Sequence, residues 1–251
     1  METAKLKRRV LVTGAAGNIG RAVVPMLRQR GHFVRGFDRQ PCPDDGECIM
    51  GDLTDADAVR RAVEGCDAVV HLAANPRPIA TFEDLLGPNV IGLHHVVDAS
   101  RQAGVKRLVL ASSGQVIFGV DQRPVPTTAR APENLYGMTK LWAEDLGEMV
   151  ARCYDMQVVA ARLGWVPAHA KSAAALDKAD DGRLVYTSHR DTGRFMIRAV
   201  EAPLDDGAFV VAYAVGPGWD GQQKFDLEPG RKLLGYEPKD YFPDGMAFDY
   251  P

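Results

Sequence analysis

The sequence predicts an α/β fold in which a parallel sheet carries helices on both faces. Three observations support this prediction. Apolar, strand-like segments alternate six times with segments of helical spacing. The segment CDAVVHLAA at residues 66–74 is apolar almost throughout, as expected for a strand covered on both faces. The first strand-like segment ends in a glycine-rich turn that leads into a helix. This pattern is typical of a doubly wound sheet with right-handed crossovers.

The strands are predicted from short apolar runs that end at turn-forming or small polar residues. In chain order they are RRVLVTG (8–14), HFVRGFD (32–38), ECIMGD (47–52), CDAVVHLAA (66–74), RLVLASS (107–113), MQVVAARLG (156–164) and, near the end, FVVAYAV (209–215).

The helices are predicted from apolar residues at helical spacing. In the first helix Ile19, Val23 and Leu27 share a face, Gly31 closes the helix, and Pro25 is expected to kink it. The predicted helices are NIGRAVVPMLRQRG (18–31), DADAVRRAVEG (55–65), a long segment at about 81–103, NLYGMTKLWAEDLGEMVARCY (134–154) and DTGRFMIRAVEAP (191–203).

Composition and charge limit the classes of partner. The chain has a net charge of −3 and an ordinary share of charged residues, so we expect a small-molecule substrate, no nucleic acid and no membrane. No signal-type apolar segment follows the N-terminal charges, which predicts a reducing cytoplasm. The four cysteines contain no C-x-x-C pair, and no His/Cys set has zinc spacing. We therefore predict neither a metal site nor a disulfide framework.

The turn TGAAGNIG has the spacing of a dinucleotide-binding fingerprint. Gly14, Gly17 and Gly20 form G-x-x-G-x-x-G between a predicted strand and a predicted helix. Glycines there permit a tight turn and close approach of the backbone to a pyrophosphate. The helix N-terminus offers amide donors to the anion, so Asn18 and Ile19 are candidate contacts. The motif predicts a Rossmann-type sheet, although an ordinary glycine-rich turn is the alternative.

Asp38 ends the second predicted strand, about 20 residues past the last glycine, where an acid binds the adenosine ribose hydroxyls. A carboxylate there repels a 2′-phosphate and favours NAD over NADP. Arg39 keeps NADP open, because a guanidinium can bind that phosphate. Further cofactor contacts are predicted where the third and fourth strands end: Asp52, Leu53, Leu72, Ala73 and Ala74.

Tyr136 and Lys140 are four residues apart on a predicted helix and so share a face. A phenol becomes a useful base at pH 7 when its pKa falls by roughly three units, about 4 kcal/mol. One ammonium about 4 Å away supplies about that much at an effective dielectric near 20. The pair therefore predicts proton abstraction, with a surface pair on an amphipathic helix as the alternative.

The motifs TGAAGNIG, GDLTD, CDAVVHLAA, NVIGLHHVVDAS, ASSGQVIFG, YGMTK and ARLG occur in one order. In this order the chain resembles the extended short-chain dehydrogenase/reductase family, which contains sugar epimerases and dehydratases. It looks most like the NAD-dependent uronate dehydrogenases, which share a similar S-H-x-D, here SHRD at 188–191. The resemblance implies residues 1–165 as a dinucleotide-binding Rossmann domain and 166–251 as a substrate-binding lobe packed on the same domain.

The resemblance also assigns roles to site residues. It implies Tyr136 as the base, Lys140 as its activator and ribose ligand, and Asn89 as an anchor of a proton relay, with a helix-internal polar group bonded to the backbone as the alternative for Asn89. The helper hydroxyl of the epimerases is replaced here by Gly114. Ser113 matches a substrate-bonding serine of the uronate dehydrogenases, with Ser112 and Gln115 as alternative donors. Loss of a hydrogen-bond donor at the reacting oxygen lowers the catalytic rate around a hundredfold. Gly114 therefore indicates either a wider pocket or impaired catalysis.

The segment after Gly164 is short, which favours a small free metabolite over a nucleotide-sugar. Residues 166–193 are expected to be a loop over the site. Trp165 is predicted either to stack on a sugar face or to join the core. The arginine with which uronate dehydrogenases grip the carboxylate has no counterpart in register, leaving Lys171 or Arg183 as substitutes.

These observations predict an NAD-dependent dehydrogenase that oxidises a hydroxyl of a small sugar or sugar acid. The alternatives are an epimerase or dehydratase that retains its NAD, and a non-catalytic dinucleotide-sensing protein on the same fold. The family resemblance further implies a homodimer formed through the helices at about 81–103 and 134–154.

Overall fold

The computed structural model describes residues 7–42 and 46–249, and it confirms the α/β fold class. Seven strands form one sheet in the order β3-β2-β1-β4-β5-β6-β7, and every neighbouring pair is parallel. The direction of winding reverses between β1 and β4, where a doubly wound sheet opens a crevice. The strands are β1 (Arg9–Thr13), β2 (Phe33–Asp38), β3 (Cys48–Met50), β4 (Ala68–His71), β5 (Arg107–Ser113), β6 (Gln157–Leu163) and β7 (Phe209–Ala214).

Helices cover both faces of the sheet because strand residues alternate between two apolar layers. Val10 and Val12 pack with one layer, whereas Leu11 between them packs with the other. The helices are α1 (Gly20–Gln29), α2 (Ala56–Val63), α3 (Phe82–Leu85), α4 (Gly92–Gln102), α5 (Leu135–Tyr154), α6 (Ala170–Lys178) and α7 (His189–Glu201). Helices α1 and α7 form the first layer, and α2, α4 and α5 form the second.

The long helix predicted at about 81–103 is divided in three. Thr81 caps α3, and a π-helical segment, Leu86–Ile91, joins α3 to α4. The segment contains Gly87 and Pro88, which weaken regular helical hydrogen bonding. Asn89 lies within this segment and is buried, so the irregular backbone coincides with a predicted site residue.

The prediction of a loop over residues 166–193 is wrong in two places. Helix α6 occupies Ala170–Lys178, where an alanine-rich stretch has high helix propensity and His169 caps the first turn. Helix α7 begins at His189, capped by Ser188, two residues before the predicted start. Strand β7 joins the same sheet beside β6, so this later part of the chain extends the sheet. The division at residue 165 stays a prediction.

A disulfide joins Cys42 to Cys48, against the prediction of none. The spacing of the two cysteines in the sequence did not indicate the bond, because they come together only when β2 pairs with β3. Cys48 pairs with Gly36, and Cys42 returns to lie over that glycine. Disulfides are rare in a reducing cytoplasm, so the bond weighs against the predicted compartment, which stays a prediction. Over the described ranges, no helix combines the length and apolarity needed to cross a membrane.

Candidate active site

The glycine turn lies at the carboxyl end of β1, at the point where the sheet reverses. Gly14 has a φ of +72°, and a Cβ there would lie 2.8 Å from the backbone nitrogen of Ala73. A Cβ on Gly20 would lie 2.1 Å from the carbonyl oxygen of Gly14. Only glycine suits this compact turn. Because α1 begins at Gly20, the turn and the helix N-terminus form a cradle that fits a pyrophosphate.

The predicted adenosine contacts lie beside this cradle. Asp38 ends β2, where its carboxylate accepts hydrogen bonds from the backbone N–H groups of Ala16 (3.0 Å) and Gln40 (3.1 Å). The Arg39 side chain is 78% exposed and lies 3.9 Å from Asp52. Hydrogen bonds from Thr54 lower the pKa of Asp52. Acidic groups thus dominate the edge where a ribose would lie. Leu53 is buried nearby, and Leu72, Ala73 and Ala74 follow β4 beside the turn.

Helix α5 brings Tyr136 and Lys140 together in a nearly water-free position. Each residue is 8% exposed. The ammonium of Lys140 lies 5.6 Å from the centre of the Tyr136 ring and donates a 2.8 Å hydrogen bond to the Ala111 carbonyl. The Asn134 side chain caps the helix by accepting from the Gly137 amide, which fixes the first turn that carries the tyrosine.

Burial changes both pKa values in the direction that disfavours charge. Desolvation raises the pKa of Tyr136 to about 12, and a hydrogen bond with Ser113 acts in the opposite direction. Desolvation lowers the pKa of Lys140 to about 8. In the chain by itself, desolvation therefore opposes the ionised phenol that the sequence argument expects from the ammonium. That argument counted the attraction between the pair and omitted their desolvation, and the role of Tyr136 as base stays a prediction.

Ser113 lies at the end of β5 and contacts Tyr136 through its hydroxyl, which also accepts the Gln115 backbone N–H at 3.2 Å. The Gln115 side chain accepts from Asn134 at 2.7 Å, so it is held at the start of α5. At Gly114 an added Cβ would meet the Leu163 carbonyl at 3.6 Å, an ordinary contact. The backbone therefore accommodates a side chain there, and the glycine leaves space beside Ser113.

Asn89 connects the π-helical segment to α5 and to the loop after β4. Its amide nitrogen donates to the Thr139 hydroxyl at 3.0 Å and to the Asn75 carbonyl at 3.1 Å. Its side-chain oxygen accepts the Asn75 backbone N–H at 2.8 Å. A cavity of about 10 Å³, room for about one water molecule, adjoins these groups. It is lined by His71, Ala73, Ala74, Asn89, Leu93, Leu110, Ala111, Thr139, Lys140 and Ala143.

The predicted substrate contacts after β6 differ from one another in exposure and in their bonding partners. Trp165 is held through its backbone by Val185, and the residue is 39% exposed, so it is outside the core. Lys171 is exposed in the first turn of α6. Arg183 donates to Asp177 at 2.6 Å and stacks 4.5 Å from the Trp219 ring centre. An arginine engaged in this way is a poor candidate for gripping a substrate carboxylate.

Sequence reasoning missed a fully buried ionic network behind the catalytic pair. Glu144 lies one helical turn after Lys140 and receives two 2.8 Å hydrogen bonds from Arg162 on β6. Ser112 donates to the same carboxylate at 2.5 Å, and Arg162 also contacts Tyr213. The i,i+4 spacing of Tyr136, Lys140 and Glu144 was the available signal.

Comparison with known proteins identifies the family to which the chain belongs. A model of the NAD dependent epimerase/dehydratase family matches residues 10–169. Uronate dehydrogenase of Pseudomonas syringae pv. tomato is 32% identical over 246 residues, which cover 92% of this chain and 82% of that protein. NAD-dependent glucose-6-phosphate dehydrogenase of Haloferax volcanii is 30% identical over 258 residues, covering 92% and 93% respectively.

A solved structure agrees with the fold at nearly full length. A mutant of uronate dehydrogenase from Agrobacterium tumefaciens complexed with NAD superposes with a TM-score of 0.81 at 28% identity. The match covers 94% of this chain and 86% of that chain. The fold thus has a close structural counterpart.

Replacing the buried ammonium should stabilise the protein. Lys140 has a folded-state pKa of about 8 against 10.5 when exposed, a penalty of roughly 3 kcal/mol below pH 8. Loss of the bond to Ala111 offsets part of this gain. We expect Lys140→Met to raise the free energy of unfolding at pH 7 by about 1–2 kcal/mol, measured by urea denaturation.

The gain should fade between pH 8 and pH 10.5, because the unfolded lysine then also loses its proton. Lys106→Met, at an exposed lysine, serves as the control and should show no such pH dependence. A Lys140→Met protein that is less stable at pH 7 than the original would contradict the assignment of a desolvation penalty.

Proposed function

The chain belongs to the NAD-dependent epimerase/dehydratase family, and we propose that it oxidises a hydroxyl group of a small sugar or sugar acid with Tyr136 as the base. Family membership and its relatives make it an NAD-dependent dehydrogenase. The observation that carries the proposal is the buried Tyr136–Lys140 pair with the Ser113 hydroxyl at the phenol. The uronate and glucose 6-phosphate activities of the relatives support a sugar substrate.

The residues present fit NAD. The glycine cradle and the N-terminus of α1 would hold the pyrophosphate, Asp38 the adenosine ribose, and Lys140 the nicotinamide ribose. When bound there, NAD would supply the hydride acceptor, and the positive charge of its nicotinamide would favour an ionised phenol nearby. Such a charge would offset the desolvation that opposes the charged forms of Tyr136 and Lys140.

Each of the remaining side chains has a separate role in the proposed reaction. Ser113 orients the substrate alcohol through its hydroxyl, and the Tyr136 oxygen takes the alcohol proton as the carbon is oxidised. Lys140 stabilises the phenolate by its charge. Asn89 and Thr139 border the water-sized cavity beside Lys140, which gives the proton a route away from Tyr136. The reaction yields a ketone, an aldehyde or a lactone.

The predicted substrate contacts after β6 are compatible with a substrate that carries little or no charge. Trp165 offers an exposed indole on which an apolar sugar face can stack. Lys171 offers a point charge to a carboxylate but lacks the bidentate fork of arginine. Neutral sugars therefore belong in the substrate class together with sugar acids. Gln115, which is held by Asn134 at the start of α5, is a further candidate donor.

The catalytic assignment is tested with uronic acids, neutral aldoses and polyols, following NADH formation at saturating NAD. Tyr136→Phe should lower kcat by about 10²–10⁴-fold, the contribution of a positioned base. Ser113→Ala should lower kcat by about a hundredfold, because one donor at the reacting oxygen is lost. Tyr154→Phe, at an exposed tyrosine of the same helix, is the matched control and should keep full activity.

Two outcomes would contradict this reading. Equal turnover by the original protein and Tyr136→Phe would exclude the tyrosine as base. Interconversion of sugars without accumulation of NADH, with cofactor that co-purifies, would show an epimerase in place of a dehydrogenase.

Cofactor preference is tested at Asp38. Asp38→Ser removes the carboxylate that repels a 2′-phosphate and leaves the exposed Arg39 available to bind it. We expect the ratio of kcat/KM for NAD to that for NADP to fall by about tenfold or more, corresponding to roughly 1.4 kcal/mol of lost repulsion. Adding Arg39→Ala should cancel the gain for NADP. An unchanged ratio in Asp38→Ser would remove Asp38 from the ribose site.

A homodimer formed through α4 and α5 is the proposed assembly. Leu135, Met138 and Trp142 lie at i, i+3 and i+7 on α5, and each is about half exposed. Ile91, next to α4, is also exposed. A second copy of the chain would cover this apolar stripe, as the family resemblance implies.

Trp142→Glu should convert the dimer to a monomer, because it places a charge within the proposed interface. Mass is measured by light scattering during size-exclusion chromatography at micromolar concentration. Phe33→Glu, at an exposed apolar residue on β2, is the control and should leave the dimer intact. A monomer mass for the original protein would contradict the proposal.

A further inference from the structure

Four distant segments of the chain are linked by hydrogen bonds through His189 and Asn18. His189 lies in the first turn of α7 and is 3% exposed. Its Nδ1 atom accepts the backbone N–H of Ala247 at 3.1 Å, and its Nε2 atom lies 3.0 Å from the side-chain oxygen of Asn18. The Asn18 amide in turn donates to the Val166 carbonyl at 3.3 Å. The C-terminal segment, α7, the glycine turn and the loop after β6 are thereby linked.

The directions of these bonds follow from one another. Because Nδ1 accepts an N–H, it carries no proton, and a neutral imidazole then bears its proton on Nε2. Nε2 therefore donates to the Asn18 oxygen, which orients the asparagine amide with its nitrogen toward Val166. Burial lowers the pKa of His189 and so favours the neutral form that this chain of bonds requires.

The histidine end of the link is held rigidly. Ser188 caps α7 and donates to Asp240 at 2.6 Å, while Asp191 accepts the backbone N–H groups of Lys239 and Asp240. Helix α7 also packs closely on α1, where a Cβ at Gly193 would lie 2.1 Å from the Met26 sulfur. The exposed end of the link is Asn18, which stands on the turn where the cofactor pyrophosphate would bind.

We propose that His189, through Asn18, is a positioning residue that couples cofactor binding at the glycine turn to the arrangement of the substrate loop at residues 165–169. The inference rests on the proposed NAD site. Val166 follows Trp165, the predicted sugar-stacking residue. A cofactor that orders the glycine turn would therefore also order this loop, through the bond from Asn18 to Val166. Thermodynamic linkage makes the coupling reciprocal. The factor by which bound cofactor favours this loop arrangement is the factor by which the ordered loop strengthens cofactor binding.

Two substitutions of His189 separate its two contacts. His189→Asn keeps an acceptor at the position of Nδ1 for Ala247 but does not reach Asn18. His189→Gln places an amide donor near the position of Nε2 and keeps the contact with Asn18. We expect the dissociation constant for NADH, measured by fluorescence, to rise about fivefold or more in His189→Asn and to stay near the original value in His189→Gln.

Asn18→Ala should weaken NADH binding at least as much as His189→Asn, because Asn18 is also a candidate cofactor contact, and the double variant should be no weaker than Asn18→Ala. Hydrogen exchange gives a second readout. In the original protein NADH should slow exchange at residues 14–20, 165–169 and 245–249. In His189→Asn the slowing should remain at 14–20 and be lost at 165–169. His32→Asn, at a buried histidine that contacts Glu201 at the other end of α7, is the control.

Unchanged NADH affinity and unchanged exchange at 165–169 in His189→Asn would overturn the coupling. Equal weakening in both His189 variants, together with a lowered Tm, would also overturn it, because a purely structural role predicts that result. The two proposals fail separately. An original protein that shows the linked protection but oxidises no sugar retains the coupling and loses the proposed substrate class.

Discussion

The arrangement of the candidate active site depends on an ammonium placed inside the protein. Lys140 is nearly buried and is satisfied by the Ala111 carbonyl at the end of a central strand. This requires α5 to lie very close to the sheet. Gly147 makes that approach possible, since a Cβ there would lie 2.9 Å from Leu110. The same close packing brings the Tyr136 ring beside Ser113, so one constraint fixes both the helix and the site.

The buried side of α5 continues beyond the catalytic pair. Glu144 occupies the next turn, where Arg162 and Ser112 satisfy its carboxylate. An ion pair at this depth contributes little net stability compared with apolar residues, but removal of one partner would leave an uncompensated charge. Ser112 and Ser113 are consecutive on β5 and point to opposite sides, so one strand end connects the ionic network to the phenol.

Local patterns predicted most of the fold. The glycine turn, the seven strands and the helix that carries Tyr136 all follow from spacing and apolar periodicity over short windows. Most of the features that were missed arise from tertiary contacts, which local patterns do not show. The Cys42–Cys48 disulfide depends on strand pairing, the Glu144–Arg162 pair on the packing of α5 against β6, and the His189–Asn18 contact on the packing of α7 against α1. Helix α6 was missed because alanine, aspartate and glycine together looked like loop composition.

The position of β7 has a mechanical consequence. Because this strand hydrogen bonds to β6 along its whole length, the later part of the chain shares one continuous sheet with the cofactor-binding part. A hinge between two rigid bodies is therefore not available to enclose a substrate. Any closure over a bound substrate would then fall to short segments outside the sheet, such as the residues around Trp165 and those leading to α7.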